Sequence, residues 1–103
     1  MKTMSDIFIT TYLVELTKLA GLVSSHAKER GINLDTEVVY DVIEDEYDLA
    51  YDNHNSSFCC RSEEEAQEEY DKNNTTFNLI ILEIAKMKEE GIVPESFTIH
   101  NEW

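Results

Sequence analysis

Residues 5–30 read "SDIFITTYLVELTKLAGLVSSHAKER" and form the longest apolar-rich segment of the chain. Its apolar residues are Ile7, Phe8, Ile9, Tyr12, Leu13, Val14, Leu16, Leu19, Ala20, Leu22 and Val23. That set is wider than one stripe, which predicts a helix lying centrally or in a subunit interface. Ser5 is the expected N-cap, and Asp6 suits the first turn. At the other end, the cationic turn Lys28-Glu29-Arg30 is followed by Gly31 and then apolar Ile32, a helix stop. The run Phe8-Ile9-Thr10-Thr11-Tyr12 is β-branched and aromatic, so its composition also suits a strand. Spacing over the whole stretch predicts a helix.

Working outward, the next segment is "DTEVVYDVIEDEYDLAYDNHN", residues 35–55. Asp35 is the expected cap, and Leu34 with Val39 has hydrophobic-staple spacing. Val39, Val42, Ile43, Tyr47, Ala50 and Tyr51 form one apolar stripe that fades near "DNHNSS", where Asn and Ser favour turns. A third element opens at "SEEE", with Ser62 and Glu65 in a capping-box pattern. Ala66, Tyr70, Phe77, Ile80, Ile84 and Met87 continue it at nearly heptad spacing to Gly91 and Pro94. Asn73-Asn74 predicts a kink or a break there, with Thr75 as the new cap. The tail "SFTIHNEW" alternates and is expected to lie extended over the body. One proline and three glycines leave few obligatory turns, favouring long helices over a sheet. Together these features predict a single all-α domain, residues 1–103, a bundle of three or four helices with an irregular or extended C-terminal tail.

Charge is distributed unevenly. The net charge is −14. Residues 1–34 carry +1, residues 35–71 carry −13 and residues 72–103 carry −2. Residues 35–55 alone hold eight carboxylates and no lysine or arginine, and "SEEEAQEEYD" adds six more. If residues 35–52 were one helix, it would be about 27 Å long. One carboxylate would then fall every ~3.4 Å, close to the phosphate spacing along one DNA strand. Solubility alone is served by dispersed charge of both signs. Concentrated like charge at i,i+4, as in Glu37/Asp41, Asp41/Asp45, Glu44/Asp48 and Asp48/Asp52, costs a few tenths of a kcal/mol per pair.

Other chemistry is poorly supported. Cys59 and Cys60 are adjacent, a geometry that suits neither a mutual disulfide nor two ligands on one zinc ion, so two free thiols in a reducing compartment are expected. "DLAYDNHNSS" lacks the central glycine of a calcium loop. Glu44, Asp45 and Asp48, or the glutamates after Ser62, make a poor nucleotide site, because phosphate handling also wants cations and Arg61 is the only basic residue nearby. No nucleophile elbow or phosphate loop is present, and His26 reads as an ordinary residue near a helix end. No cofactor, metal or enzymatic activity is expected. A surface this acidic repels nucleic acid. No stretch reads as a leader or a bilayer span, so a cytoplasmic protein without a membrane partner is expected.

In size and charge the chain resembles two groups of small acidic inhibitors: phage-encoded DNA mimics that block restriction, CRISPR or repair enzymes, and immunity proteins that neutralise nuclease toxins. The resemblance is compositional and implies a stoichiometric inhibitor of a basic nucleic-acid-binding protein or nuclease, acting in a bacterial or phage-infected cytoplasm. The residues expected to meet such a partner are Glu37, Asp41, Glu44, Asp45, Glu46, Asp48, Asp52, Glu63, Glu64, Glu65, Glu68 and Glu69. Tyr47, Tyr51 or Phe58 would supply apolar anchoring. The alternative is a small oligomeric helical subunit, structural or regulatory, that uses the apolar face of residues 7–23, for example as a homodimer.

Overall fold

The computed structural model describes residues 13–49 and 55–101. Leu13–Glu15 is a strand, β1, that runs directly into helix α1, Leu16–Glu29. Helix α2 follows at Thr36–Glu46, strand β2 at Asn55–Cys59, helix α3 at Glu63–Lys72, helix α4 at Thr76–Glu89 and strand β3 at Ser96–His100. The three strands form a mixed sheet in the order β1-β3-β2, with β1 parallel and β2 antiparallel to β3. The expected all-α bundle is therefore incorrect: the chain is a small α/β fold of four helices and three strands among the described residues.

The reason is non-local. Each strand is short, and pairing joins segments that are distant in sequence: Val14 lies opposite Ile99, and Ser56 faces Ile99 from the other side. Phe58 pairs with Phe97, and their rings stack with centroids 5.1 Å apart. The alternation of "SFTIH" is real: Phe97 and Ile99 are buried, while Ser96 is exposed. This segment is the central strand, however, and not a tail laid over a bundle. "NSSFC" looks like a turn by composition, yet it presents Phe58 inward at the two-residue period of a strand. The strand alternative for Phe8–Tyr12 lies outside the described residues, as does the Ser5 cap. What is described is the strand that immediately follows.

Helix termini follow the sequence more closely. The side chain of Asp35 accepts from the Glu37 N–H, Ser62 from Glu65 N–H and Thr75 from Asn78 N–H. Helices α3 and α4 are separate, so Asn73-Asn74 marks a break. At Gly31 and Gly91 φ is +80° and +79°, and the residue after each donates back across the last turn: Ile32 N–H to Ala27 and Ile92 N–H to Met87. These are Schellman stops, where glycine enters the left-handed region without a Cβ penalty.

The end of α2 differs from expectation. The helix stops at Glu46, well before "DNHNSS". Asp48 takes the left-handed position with φ 53°, and Leu49 N–H donates to Glu44 O at 2.9 Å. This is the same motif built on aspartate, one of the few side chains that tolerate that conformation. Leu49 is buried just beyond the stop and anchors it. The helix is thus about 16 Å long rather than 27 Å. Ala50 and Tyr51 of the expected stripe lie outside the described residues.

The core lies between one sheet face and the helices. Val14, Phe58, Phe97 and Ile99 meet Leu16, Leu19 and Val23 of α1, Val39 and Ile43 of α2, and Ile80, Ile84 and Met87 of α4. Helix α4 is the most enclosed element, buried from Ile80 through Ala85. The helix after residue 15 is also buried on its apolar side, by the protein's own helices. Each fully buried Leu or Ile contributes about 1.5–3 kcal/mol. Helix α1 packs on α2 and α4, whereas α3 rests on α4.

Candidate functional site

Most of the acidic residues expected to meet a partner fall on two elements. On α2, Glu37, Asp41, Glu44 and Asp45 follow the helical repeat on the side away from buried Val39 and Ile43. On α3, only Ala66 is buried and Tyr70 half-buried; Glu64, Glu65, Glu68 and Glu69 are exposed. Arg61, Glu65, Glu68 and Glu69 surround a shallow concavity of about 350 Å³. Among the described residues, no cation lies within 4.0 Å of the carboxylates of Glu37, Asp41, Asp45, Glu46, Glu64, Glu65, Glu68 or Glu69.

Three other cations are used elsewhere. Lys86 of α4 meets Glu63 of α3 at 2.5 Å, and this hydrogen bond holds the Glu63 carboxyl below its ordinary range. Arg30 meets Glu83 at 2.7 Å, and Lys88 meets its neighbour Glu89 at 3.5 Å. Glu63 is therefore an internal tie between α3 and α4 rather than a free charge. Glu44 also has structural duty: it accepts from the Asn101 amide at 3.1 Å. Asn101 is buried, donates to the Leu49 carbonyl at 2.7 Å and accepts from the Tyr40 hydroxyl at 2.8 Å. This set pins the chain beyond β3 to the end of α2.

Tyr47 is half-buried, with its ring 5.6 Å from Phe58 and 6.2 Å from Phe77. Burial pushes its hydroxyl pKa up, and Arg61 partly offsets this. It joins α2 to the sheet and to the start of α4, and Phe58 is buried in the same cluster. Two of the three aromatic side chains expected to anchor a partner, Tyr47 and Phe58, thus serve the core. Tyr51 and Asp52 lie outside the described residues. Asp48 is exposed at the left-handed stop.

The two acidic faces have different local explanations. Glu63, Glu64 and Glu65 occupy the first turn of α3, where carboxylates are favoured by the helix dipole. Asp45 and Glu46 occupy the last turn of α2, which has no basic residue. There the exposed carbonyls make negative charge unfavourable. Asp41/Asp45 and Glu37/Asp41 add like-charge pairs at i,i+4 within the helix. Five carboxylates over about 16 Å keep the axial spacing near 3.3 Å despite the shorter helix.

Two residues with specific partners were not apparent in sequence. Glu83 is fully buried in α4, and His26 is buried in α1 against it. The one available signal was the carboxylate inside the apolar run "FNLIILEIAKM", which demands a buried cation. Among the described residues no group of three or more His, Cys, Asp or Glu side chains is arranged to hold a metal ion. Cys59 is exposed and Cys60 half-buried, both as free thiols; burial pushes the Cys60 thiol up to about 11. No helix among the described residues is long and apolar enough to cross a membrane. No family model, curated protein or solved structure matches the chain.

Proposed function

We propose that the protein is a non-enzymatic, stoichiometric inhibitor that binds a basic nucleic-acid-binding protein or nuclease by presenting carboxylates in place of phosphates, in the manner of phage anti-restriction and anti-CRISPR DNA mimics or of nuclease immunity proteins. The observation that carries this reading is the set of exposed carboxylates of α2, with Glu37, Asp41 and Asp45 on the side away from Val39 and Ile43 and Glu46 at the helix end. Glu37, Asp41, Asp45 and Glu46 have no cation within 4.0 Å among the described residues, and two of them sit at the end of the helix that disfavours negative charge. A basic cleft would complete them. The acids of α3 extend the negative surface, but their first-turn placement has a sufficient local cause. Cytoplasmic action, where such a target would be met, belongs to the same proposal.

The alternative, an oligomeric subunit built on the apolar face of residues 7–23, has less to draw on. In the described part of that face, Val14, Leu16, Leu19, Ala20 and Val23 are consumed by the protein's own core, which leaves only Leu13 exposed and Leu22 half-buried. The separating experiment measures binding to a candidate basic target at rising ionic strength, beside self-association by sedimentation. The inhibitor reading expects binding that weakens steeply with salt, because exposed charges more than a Debye length apart are screened. Salt-insensitive self-association with no such binding would favour the subunit reading.

A further inference from the structure

We propose that His26 is a proton-operated clamp between α1 and α4, closed when the imidazole ring is doubly protonated and loosened when it is not. The inference rests on how the ring is held and is independent of the acidic surface. His26 is 8% exposed, and its Nδ1 faces Glu83 Oε2. Its Nε2 faces Glu90 Oε1 at 3.0 Å. An ionised carboxylate only accepts hydrogen bonds. A neutral imidazole has one N–H and one lone pair, so it satisfies one of these neighbours and sets a lone pair against the other. Only the imidazolium donates to both.

The charged groups around the ring make the same demand. Glu83 is 0% exposed, and its second oxygen accepts from Arg30 Nη1 of α1 at 2.7 Å. A carboxylate buried to that degree is tolerated in ionised form only when paired and fully hydrogen-bonded. From α4 the ring meets Glu83 and Glu90; from its own helix the nearby charge is Arg30, which shares Glu83. Glu63 of α3 lies in the field of Arg30 but is held by Lys86, and α2 contributes no charge acting on the ring. Burial opposes charging of His26, but the hydrogen bonds and charges of Glu83 and Glu90 outweigh it, and the pKa lies above its ordinary value. Position matters too. His26 and Arg30 lie at the end of α1 that Gly31 terminates, and Glu90 caps α4 just before Gly91. The clamp therefore ties the end of α1 to the middle of α4 through Glu83 and to its C-terminal end through Glu90.

With the folded pKa above the unfolded value of about 6.5, the stabilisation is fully present below about pH 6.5 and is lost as pH rises through the folded value. Between the two values the unfolding equilibrium constant rises by up to about tenfold per pH unit, one proton being released on unfolding.

The test combines an NMR titration of the His26 ring with urea unfolding between pH 6 and 8, below the range where Cys60 titrates in the unfolded chain, on the full chain and on Glu90→Gln and His26→Gln. The wild-type ring should titrate above 6.5, and its unfolding constant should grow with pH across that window. Glu90→Gln, altered at a side chain that is 57% exposed, should fold normally and lower the midpoint of the ring. His26→Gln should flatten the pH dependence. A wild-type midpoint at or below 6.5, an unchanged midpoint in Glu90→Gln, or a His26→Gln protein with the wild-type dependence would each overturn the clamp. Should His26→Gln fail to fold, the titrations of wild type and Glu90→Gln decide the matter alone.

Discussion

Neutralising the exposed face of α2 should make the isolated protein more stable. The perturbation is the triple substitution Asp41→Asn, Asp45→Asn and Glu46→Gln, which preserves shape and removes three charges from exposed positions. Glu44 is left alone because it holds Asn101. Two contributions follow from the structure. Asp45 and Glu46 lie in the last turn of α2, where relief of an unfavourable helix-dipole interaction contributes roughly 0.3–1 kcal/mol each at low ionic strength. Loss of Asp41 and Asp45 also removes the i,i+4 repulsions Glu37/Asp41 and Asp41/Asp45, roughly 0.2–0.5 kcal/mol each. Because all three side chains are solvated, the lower half of the combined range applies, about 1–2 kcal/mol. For a domain of this size each kcal/mol raises Tm by about 4–8 °C. Thermal unfolding followed by circular dichroism at low salt should therefore show a higher Tm for the variant. The difference should shrink near 1 M salt, where the Debye length falls to about 3 Å. A variant less stable than wild type at low salt, or a gain that salt leaves untouched, would show that these carboxylates do not repel one another or the helix end.

Three further outcomes follow from the fold. Thr98→Pro should abolish cooperative unfolding or lower Tm by 10 °C or more on the scale of about 4–8 °C per kcal/mol, because β3 is the central strand and proline is tolerated only at sheet edges; near-wild-type melting would mean that the tail is not part of a sheet. Glu83→Ala should cost about 3 kcal/mol in urea unfolding at pH 6, the lower end for breaking a buried ion pair since Arg30 is 35% exposed and regains water; a loss below about 1 kcal/mol would contradict the buried pairing. In the native protein one thiol, Cys59, should react rapidly with an aromatic disulfide reagent at pH 8, while Cys60 waits for unfolding, as expected for an exposed thiol beside one whose pKa is raised to about 11; two equally fast equivalents would contradict the burial of Cys60.

Local signals were legible and distant ones were not. Asp35, Ser62 and Thr75 cap their helices because capping is decided by a side chain and an N–H two or three residues on. Gly31 and Gly91 stop theirs for the same local reason. The stop at Asp48 was missed because it uses aspartate where glycine is the usual sign. The sheet was missed because Val14 pairs with Ile99, and Phe58 with Phe97, across long separations in sequence. In the candidate site, the concentration of charge was plain from composition. Which side chains are free was not: Glu63 is taken by Lys86, Glu44 by Asn101, and Tyr47 by an aromatic cluster. The pairing of His26 with Glu83 spans 57 residues, and nothing near His26 in sequence announces it.

The proposed role as a phosphate mimic is tested most directly by competition for a basic cleft. Its measurement is the affinity for a nuclease or other nucleic-acid-binding target, with and without that target's nucleic acid, for the wild-type protein and for the variant Glu37→Gln, Asp41→Asn, Asp45→Asn, Glu46→Gln. Mimicry predicts mutually exclusive binding, an affinity that falls by about tenfold or more as salt rises from low to physiological strength, and a further large loss in the variant. A target that binds protein and nucleic acid together, or that binds the neutralised variant as tightly as the wild type, would contradict it.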